Sequence, residues 1–325
     1  MYTKSFKQLS KDDVAIAGGK GASLGEMISK AGIPVPNGFV LLAPAFDRFL
    51  EETGLKSQID SVLSNVNTDE LHSVEVASER SRAIINDTPF PEDLAKEVKE
   101  CFSELNARYV AVRSSATAED SAETSWAGEL ESYLNVERDD LLESVKQCWS
   151  SLYTPRAIFY RFEHGLHDSK VSVAVVVQKM VESEVSGICF TVHPVTENYD
   201  QMVIEAGFGL GEAIVGGLIT PDTYVIDKAK VKTQNSKPEE IIIDKYISEQ
   251  EMMIVKTSKE GAGQVSVPES HRNIQKLDDD KIKCLSEICL RVENHYGFPC
   301  DIEWGFTNNR FYVLQSRPIT TLGKR

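Results

Sequence analysis

The chain is short of positive charge. Its 325 residues carry 35 Lys and Arg against 50 Asp and Glu, a net charge of −15. Nucleic acids and anionic membrane surfaces need a basic footprint, so neither is an expected partner. A phosphate group bound here must find a local positive pocket in a negative field. No apolar run approaches the roughly 20 residues of a membrane helix, and Met1-Tyr2-Thr3-Lys4-Ser5 lacks the apolar core of a secretory leader. Cysteine is thinly spread: Cys101, Cys148, Cys189, Cys284, Cys289 and Cys300 include no C-x-x-C pair. That argues against a metal-thiolate or disulfide framework, and for reduced, mostly buried thiols in a cytoplasmic protein. There is neither a Walker A loop nor a G-x-G-x-x-G, so a P-loop or nicotinamide site has no support.

What is present reads as an ordinary soluble globular protein, 41% hydrophobic and 26% charged, long enough for about two domains. The most telling stretch is Asp301-Ile302-Glu303-Trp304-Gly305-Phe306, then Thr307-Asn308-Asn309-Arg310, then Phe311-Tyr312-Val313-Leu314-Gln315-Ser316-Arg317. It reads as two strands and a tight turn. Side chains alternate faces along a strand. Ile302, Trp304 and Phe306 share one face, and Asp301 and Glu303 the other. Tyr312 and Leu314 are expected as the apolar pair of the second strand, with Val313, Gln315 and Arg317 opposite. Matching faces sets Glu303 against Gln315, Trp304 against Leu314 and Asp301 against Arg317. A two-residue turn at Asn308-Asn309 would bury Gln315 and Arg317, so a three-residue loop, Asn308-Asn309-Arg310, is expected. The polar face then offers oxygens for Mg²⁺ and a guanidinium for phosphate. Taken alone, it is also what a wet surface hairpin looks like.

Earlier in the chain, Gly18-Gly19-Lys20-Gly21 precedes a helical apolar stripe at Leu24, Met27 and Ile28. A glycine-rich loop opening a helix attracts anions, and Lys20 adds a full charge. Val110-Ala111-Val112 reads as a strand emptying into Arg113-Ser114-Ser115-Ala116-Thr117, a composition suited to oxyanions. Gly128-Glu129-Leu130-Glu131-Ser132 resembles a short loop over phosphates, although its glutamates carry the wrong charge for one. Helices are expected over about 45–63, 69–86, 91–105, 139–151, 155–164 and 278–296. Val171 to Val177 is expected as a central buried strand, leading into Gln178-Lys179-Met180-Val181, whose backbone could bond the edge of an adenine. His193 reads as structural or exposed, and 228–267 is the least readable region.

Taken together, Gly18 to Met27, Val112 to Asp120, Gly209-Leu210-Gly211-Glu212, Asp301 to Trp304 and Gln315 to Pro318 resemble the N-terminal nucleotide-binding unit of phosphoenolpyruvate synthase (pyruvate, water dikinase). The same unit occurs in pyruvate phosphate dikinase and rifamycin phosphotransferase. The resemblance implies an α/β (α+β) fold of the ATP-grasp type, with lobes 1–180 and 181–325 and MgATP between them. It further implies that Lys20, Arg113 and Arg317 act on the phosphates. Gly128 to Ser132 would form a phosphate loop, and Gln178, Met180 and Val181 would frame adenine. Glu303 and Gln315 would hold Mg²⁺, with Asp301 beside them. The family's proteins go on to a phosphohistidine domain and a pyruvate-binding, or antibiotic-binding, domain, neither of which is expected in this chain. The expected function is phosphoryl donation in phosphoenolpyruvate synthesis. The alternatives are the same unit of a rifamycin phosphotransferase and a non-catalytic nucleotide sensor. A sensor would be marked by loss of a phosphate-site residue, and none of Lys20, Arg113, Glu303, Gln315 or Arg317 is missing.

Overall fold

The computed structural model describes residues 1–117, 130–166, 171–233, 236–257, 261–320 and 322. The chain divides into two compact units, Met1–Ser29 with Asn37–Met180, and Lys30–Pro36 with Val181–Arg325. Among the described residues no helix is long and apolar enough to cross a membrane.

The first unit is built on an antiparallel sheet of Thr3–Ser5 (β1), Gly38–Leu41 (β2), Val110–Ala116 (β3), Ser132–Val136 (β4) and Val173–Lys179 (β5), ordered β1-β2-β5-β3-β4. The valine-rich β5 is central, and Val173 to Val177 are wholly buried, as a strand covered on both faces must be. One face is crossed by Val14–Ser29 (α1), which packs against β3 and β5. Val110, Val112, Val173, Val175, Val177, Phe39 and Leu41 form the other face. They share one apolar core with Ala43–Glu52 (α2), Leu55–Leu63 (α3), Leu71–Asp87 (α4), Glu92–Glu104 (α5), Leu141–Ser150 (α6) and Pro155–Glu163 (α7). At its centre Trp149 lies 5.4, 5.0 and 5.2 Å from the rings of Phe46, Phe49 and Phe90. The single helix expected over 45–63 is two, because Gly54 takes φ +70° and starts the second.

The second unit carries Val185–Phe190 (β6), Gln201–Phe208 (β7), Asp222–Asp227 (β8) and Ile242–Tyr246 (β9). It also holds the hairpin Met252–Thr257 (β10) and Gly261–Ser266 (β11), then Cys300–Thr307 (β12) and Arg310–Pro318 (β13). Six of these form an antiparallel sheet, β13-β12-β6-β7-β8-β9. The region 228–267, opaque in sequence, resolves into Lys228–Val231 and Pro238–Ile241, then β9, β10 and β11. A long helix, Asp279–Tyr296, packs against β7 and β12 with Ile282, Leu285, Ile288, Cys289 and Val292 buried. Asp278 caps its first turn by accepting from Lys281 N at 2.9 Å, and Gly297 ends it at φ +77°. The segment Lys30–Pro36 belongs here too. Its Pro34 carbonyl accepts the N–H of Val313 on β13 at 2.8 Å.

Candidate functional site

The hairpin of β12 and β13 pairs Asp301 with Arg317 and Glu303 with Gln315, so the four polar side chains share one face as expected. The three-residue loop was wrong. Arg310 pairs with Thr307 as a strand residue, and the turn is Asn308-Asn309 alone, at φ 49° and 55°. Two successive positive φ values match the strand twist, and Asn tolerates them. Parity is restored by a bulge instead. Between Glu303 and Trp304 the register shifts, Leu314 is the extra residue, and Trp304 pairs with Val313 instead of Leu314. One inserted residue flips the side-chain alternation of everything beyond it, as an odd loop would. The apolar reading of the second strand is corrected accordingly. Val313 and Phe311 are buried with Trp304, whose ring meets Phe311 edge-on at 5.7 Å, while Tyr312 and Leu314 are only partly covered.

The polar face continues across the sheet. Glu303 neighbours Ile188 on β6, which neighbours Glu205 on β7, so Gln315, Glu303 and Glu205 fall in one row. Arg317 donates to Asp301 Oδ2 from Nε at 2.8 Å and lies 2.7 Å from it through Nη2. Burial pushes the Asp301 carboxyl up from its ordinary value. Arg317 opposes that shift, and the charge of Glu303 adds to it. Burial, with Asp301 nearby, also pushes Glu205 up. Among the described residues no group of three or more His, Cys, Asp or Glu could hold a metal by itself. Glu303 and Gln315 offer one carboxylate and one amide oxygen in register. That set fits Mg²⁺, a hard cation that keeps several waters and shares substrate phosphates.

In the first unit, register sets two of the expected phosphate residues, Arg113 and Ser132, on the face that α1 crosses, with Gln178, expected at adenine, beside them. Arg113 pairs with Val176 on one side and Ser132 on the other, and Gln178 pairs with Ala111 and Gly38. Alternation therefore puts Arg113, Ser132, Ser115 and Gln178 together. Against expectation, the glycine-rich stretch is not a loop that opens a helix but a break within one. The helix starts at Val14, breaks at Gly18 (φ 67°, ψ 171°) and resumes, so Lys20 lies in the first turn after the break. Ser115 staples both sides of it, donating from Oγ to Ala17 O at 2.9 Å and accepting from Gly21 N at 3.2 Å. A β-carbon at Gly18 would lie 2.3 Å from the Ser115 carbonyl oxygen. Gln178 is 3% exposed, and its Nε2 donor finds no partner among the described residues.

Gly128 lies outside the described residues, as do Ala118 to Glu129 generally. Glu131 is described, and its charge is met: Arg82 on α4 donates to both carboxylate oxygens at 2.9 Å, and the Tyr133 hydroxyl donates to Oε2. At the adenine stretch, Lys179 N–H is bonded to Asn37 O at 2.8 Å and Met180 N–H to Tyr109 O at 3.1 Å. His193 accepts the Val195 and Thr196 N–H groups on Nδ1, each at 3.3 Å, and so caps its own turn. Sequence reading missed Arg82 and Glu205. Period two along Met202 to Ala206 could have exposed Glu205, whereas nothing local ties Arg82 to residue 131.

Residues 14–325 match the family described as pyruvate phosphate dikinase, AMP/ATP-binding domain. Over 324 residues the chain is 46% identical to a probable phosphoenolpyruvate synthase of Methanocaldococcus jannaschii, covering 98% of this chain and 26% of that protein. A probable phosphoenolpyruvate synthase of Methanothermobacter thermautotrophicus is 43% identical over 99% of this chain and 46% of its own length. The rifampicin phosphotransferase of Bacillus subtilis is 36% identical over 97% of this chain and 35% of its own length. The chain thus spans between about a quarter and a half of these relatives.

Proposed function

The chain belongs to the family of pyruvate phosphate dikinase AMP/ATP-binding domains, and from that premise we propose that it binds MgATP as the phosphoryl-donor part of a phosphoenolpyruvate synthase. The observation that carries this is the register of the β12–β13 hairpin, which sets Glu303 against Gln315 and Asp301 against Arg317. In this reading Glu303 and Gln315 hold Mg²⁺, which supplies charge neutralisation on the phosphates. Lys20, Arg113 and Arg317 contact phosphate oxygens, and the Asp301 pair holds the Arg317 guanidinium in place. Ser132 and Gln178 add a hydroxyl and an amide on the Arg113 face. With Lys179 N–H and Met180 N–H bonded elsewhere, adenine turns to the Met180 carbonyl and the Val181 N–H. Phosphoryl transfer asks for positioning and charge stabilisation more than for covalent chemistry, and these groups suffice for it.

The proposed overall reaction takes ATP, pyruvate and water to AMP, phosphoenolpyruvate and phosphate. It runs through a phosphohistidine on another domain, in the cytoplasm, with pyruvate bound on a third. The rifampicin phosphotransferase match supports the same donor site with an antibiotic acceptor. The better-matched synthases favour pyruvate.

Calorimetry with ATP, with and without Mg²⁺, tests the metal role. The wild-type chain should bind ATP far more tightly with Mg²⁺, and Glu303→Ala should lose most of that difference, on the order of tenfold or more. Equal affinity in all four titrations would remove Glu303 from the site.

A further inference from the structure

We infer that Arg82 is a positioning residue for the phosphate-contacting face: it holds Glu131 in a two-pronged grip and so fixes Ser132 beside Arg113. The inference rests on the nucleotide reading above and names a residue which that reading does not use. Arg82 sits on α4, a helix already seated by Val74, Ala77 and Ile85. Its Nη1 and Nη2 donate to Oε1 and Oε2 of Glu131, both at 2.9 Å. Parallel bonds from a planar fork constrain direction as well as distance, which a single lysine charge cannot do. The Tyr133 hydroxyl adds a third donor to the same carboxylate. Burial and that carboxylate both push the Tyr133 hydroxyl up from its ordinary value, which keeps it protonated and donating.

The other end of Glu131 is pinned as well. Its carbonyl accepts from Ser114 N at 3.2 Å and from Ser114 Oγ at 2.9 Å. Ser114 is buried and anchored in turn by Cys148 O and Ser151 Oγ. Residue 131 is thus clamped through both side chain and backbone, from two directions. The very next residue is Ser132, the partner of Arg113 across β3 and β4. Arg82 and Glu131 keep 28% and 34% of their side-chain surface exposed. A pair that wet contributes little to global stability. Its geometry therefore points to placement of the strand entry, with the helix as the fixed support.

The test uses the full 325-residue chain and the variants Arg82→Ala, Arg82→Lys and Glu131→Gln. Calorimetry is run with MgATP and with adenosine, which lacks phosphate, and hydrogen exchange is followed at the Ser132 and Tyr133 amides without nucleotide. Arg82→Ala should weaken MgATP on the order of tenfold, with adenosine held within about twofold and melting nearly unchanged. Arg82→Lys should fall between wild type and alanine, and exchange at Ser132 and Tyr133 should quicken in all three. Should Arg82→Ala fail to fold, the other two variants carry the comparison. MgATP affinity and exchange both at wild-type levels would overturn the inference, as would equal losses for MgATP and adenosine. A wild-type chain that takes up no MgATP overturns the nucleotide reading, while the exchange measurement still decides whether the grip places the strand.

Discussion

A missing β-carbon decides where Lys20 can stand. Gly18 holds φ 67° and ψ 171°, a region closed to residues with a side chain, directly against the Ser115 backbone. Gly18→Ala should cost roughly 1–3 kcal/mol from backbone conformation alone, with the clash added to it. Urea melts would measure the loss, and an unchanged midpoint would show that the break is not required. Glu212 makes the opposite case. Its side chain is exposed after the glycine stretch Gly207 to Gly211, yet partial desolvation pushes its carboxyl above the ordinary 4.5. The folded chain then holds this proton more tightly than the unfolded chain does. The contribution of this group to stability is full below its ordinary value and is lost as pH rises through the higher folded value. Glu212→Gln removes that loss. The variant should melt above wild type at neutral pH, with the gap closing as pH falls to about 4. A gap that widens in acid would mean that Glu212 is stabilised by a partner.

The hairpin shows what an element can hide in its parity. The two-residue turn and the bulge at Leu314 together produce the polar row of Glu303 and Gln315. Deleting Leu314 should close the bulge and leave Gln315 opposite Glu303 and Arg317 opposite Asp301, so Mg²⁺-dependent ATP binding should survive. Deleting Ser316 instead moves Arg317 opposite Ile302, onto the face of Trp304, and should cost several kcal/mol and weaken that binding. Binding lost on deleting Leu314, or untouched by deleting Ser316, would break the link between register and site. The polar face was legible in sequence because alternation is intrinsic to a strand. The loop length was not, because an odd loop and a bulge give the same faces, and only strand twist separates them. The valine run of β5 was legible for the same reason as the face. The helix before Gly18 was not, since Val14 to Ala17 is too short to show a period. The region 228–267 breaks into four- to six-residue pieces with half-exposed faces, and periodicity needs longer stretches. The grip of Arg82 on Glu131 spans 49 residues, and only tertiary structure brings the two together.

The whole molecule repels its proposed ligand. At −15, the chain presents a nucleotide triphosphate with a like-charged field, so affinity must come from a few short contacts and from the cation that neutralises the phosphates. Such binding stabilises the folded chain by mass action, about 2.7 kcal/mol at a hundredfold excess over Kd. For a chain of this size that is a rise in melting temperature on the order of 5 °C. MgATP should produce it, and ATP with a chelator should produce much less. Lys20→Ala and Arg113→Ala separate recognition from folding. Both residues are only partly covered, outside the wholly buried core of the first unit. Their variants should melt near wild type without ligand, yet lose most of the MgATP shift. If either variant instead melts far lower while its shift with MgATP is unchanged, that residue supports the fold and its place at the phosphates is wrong.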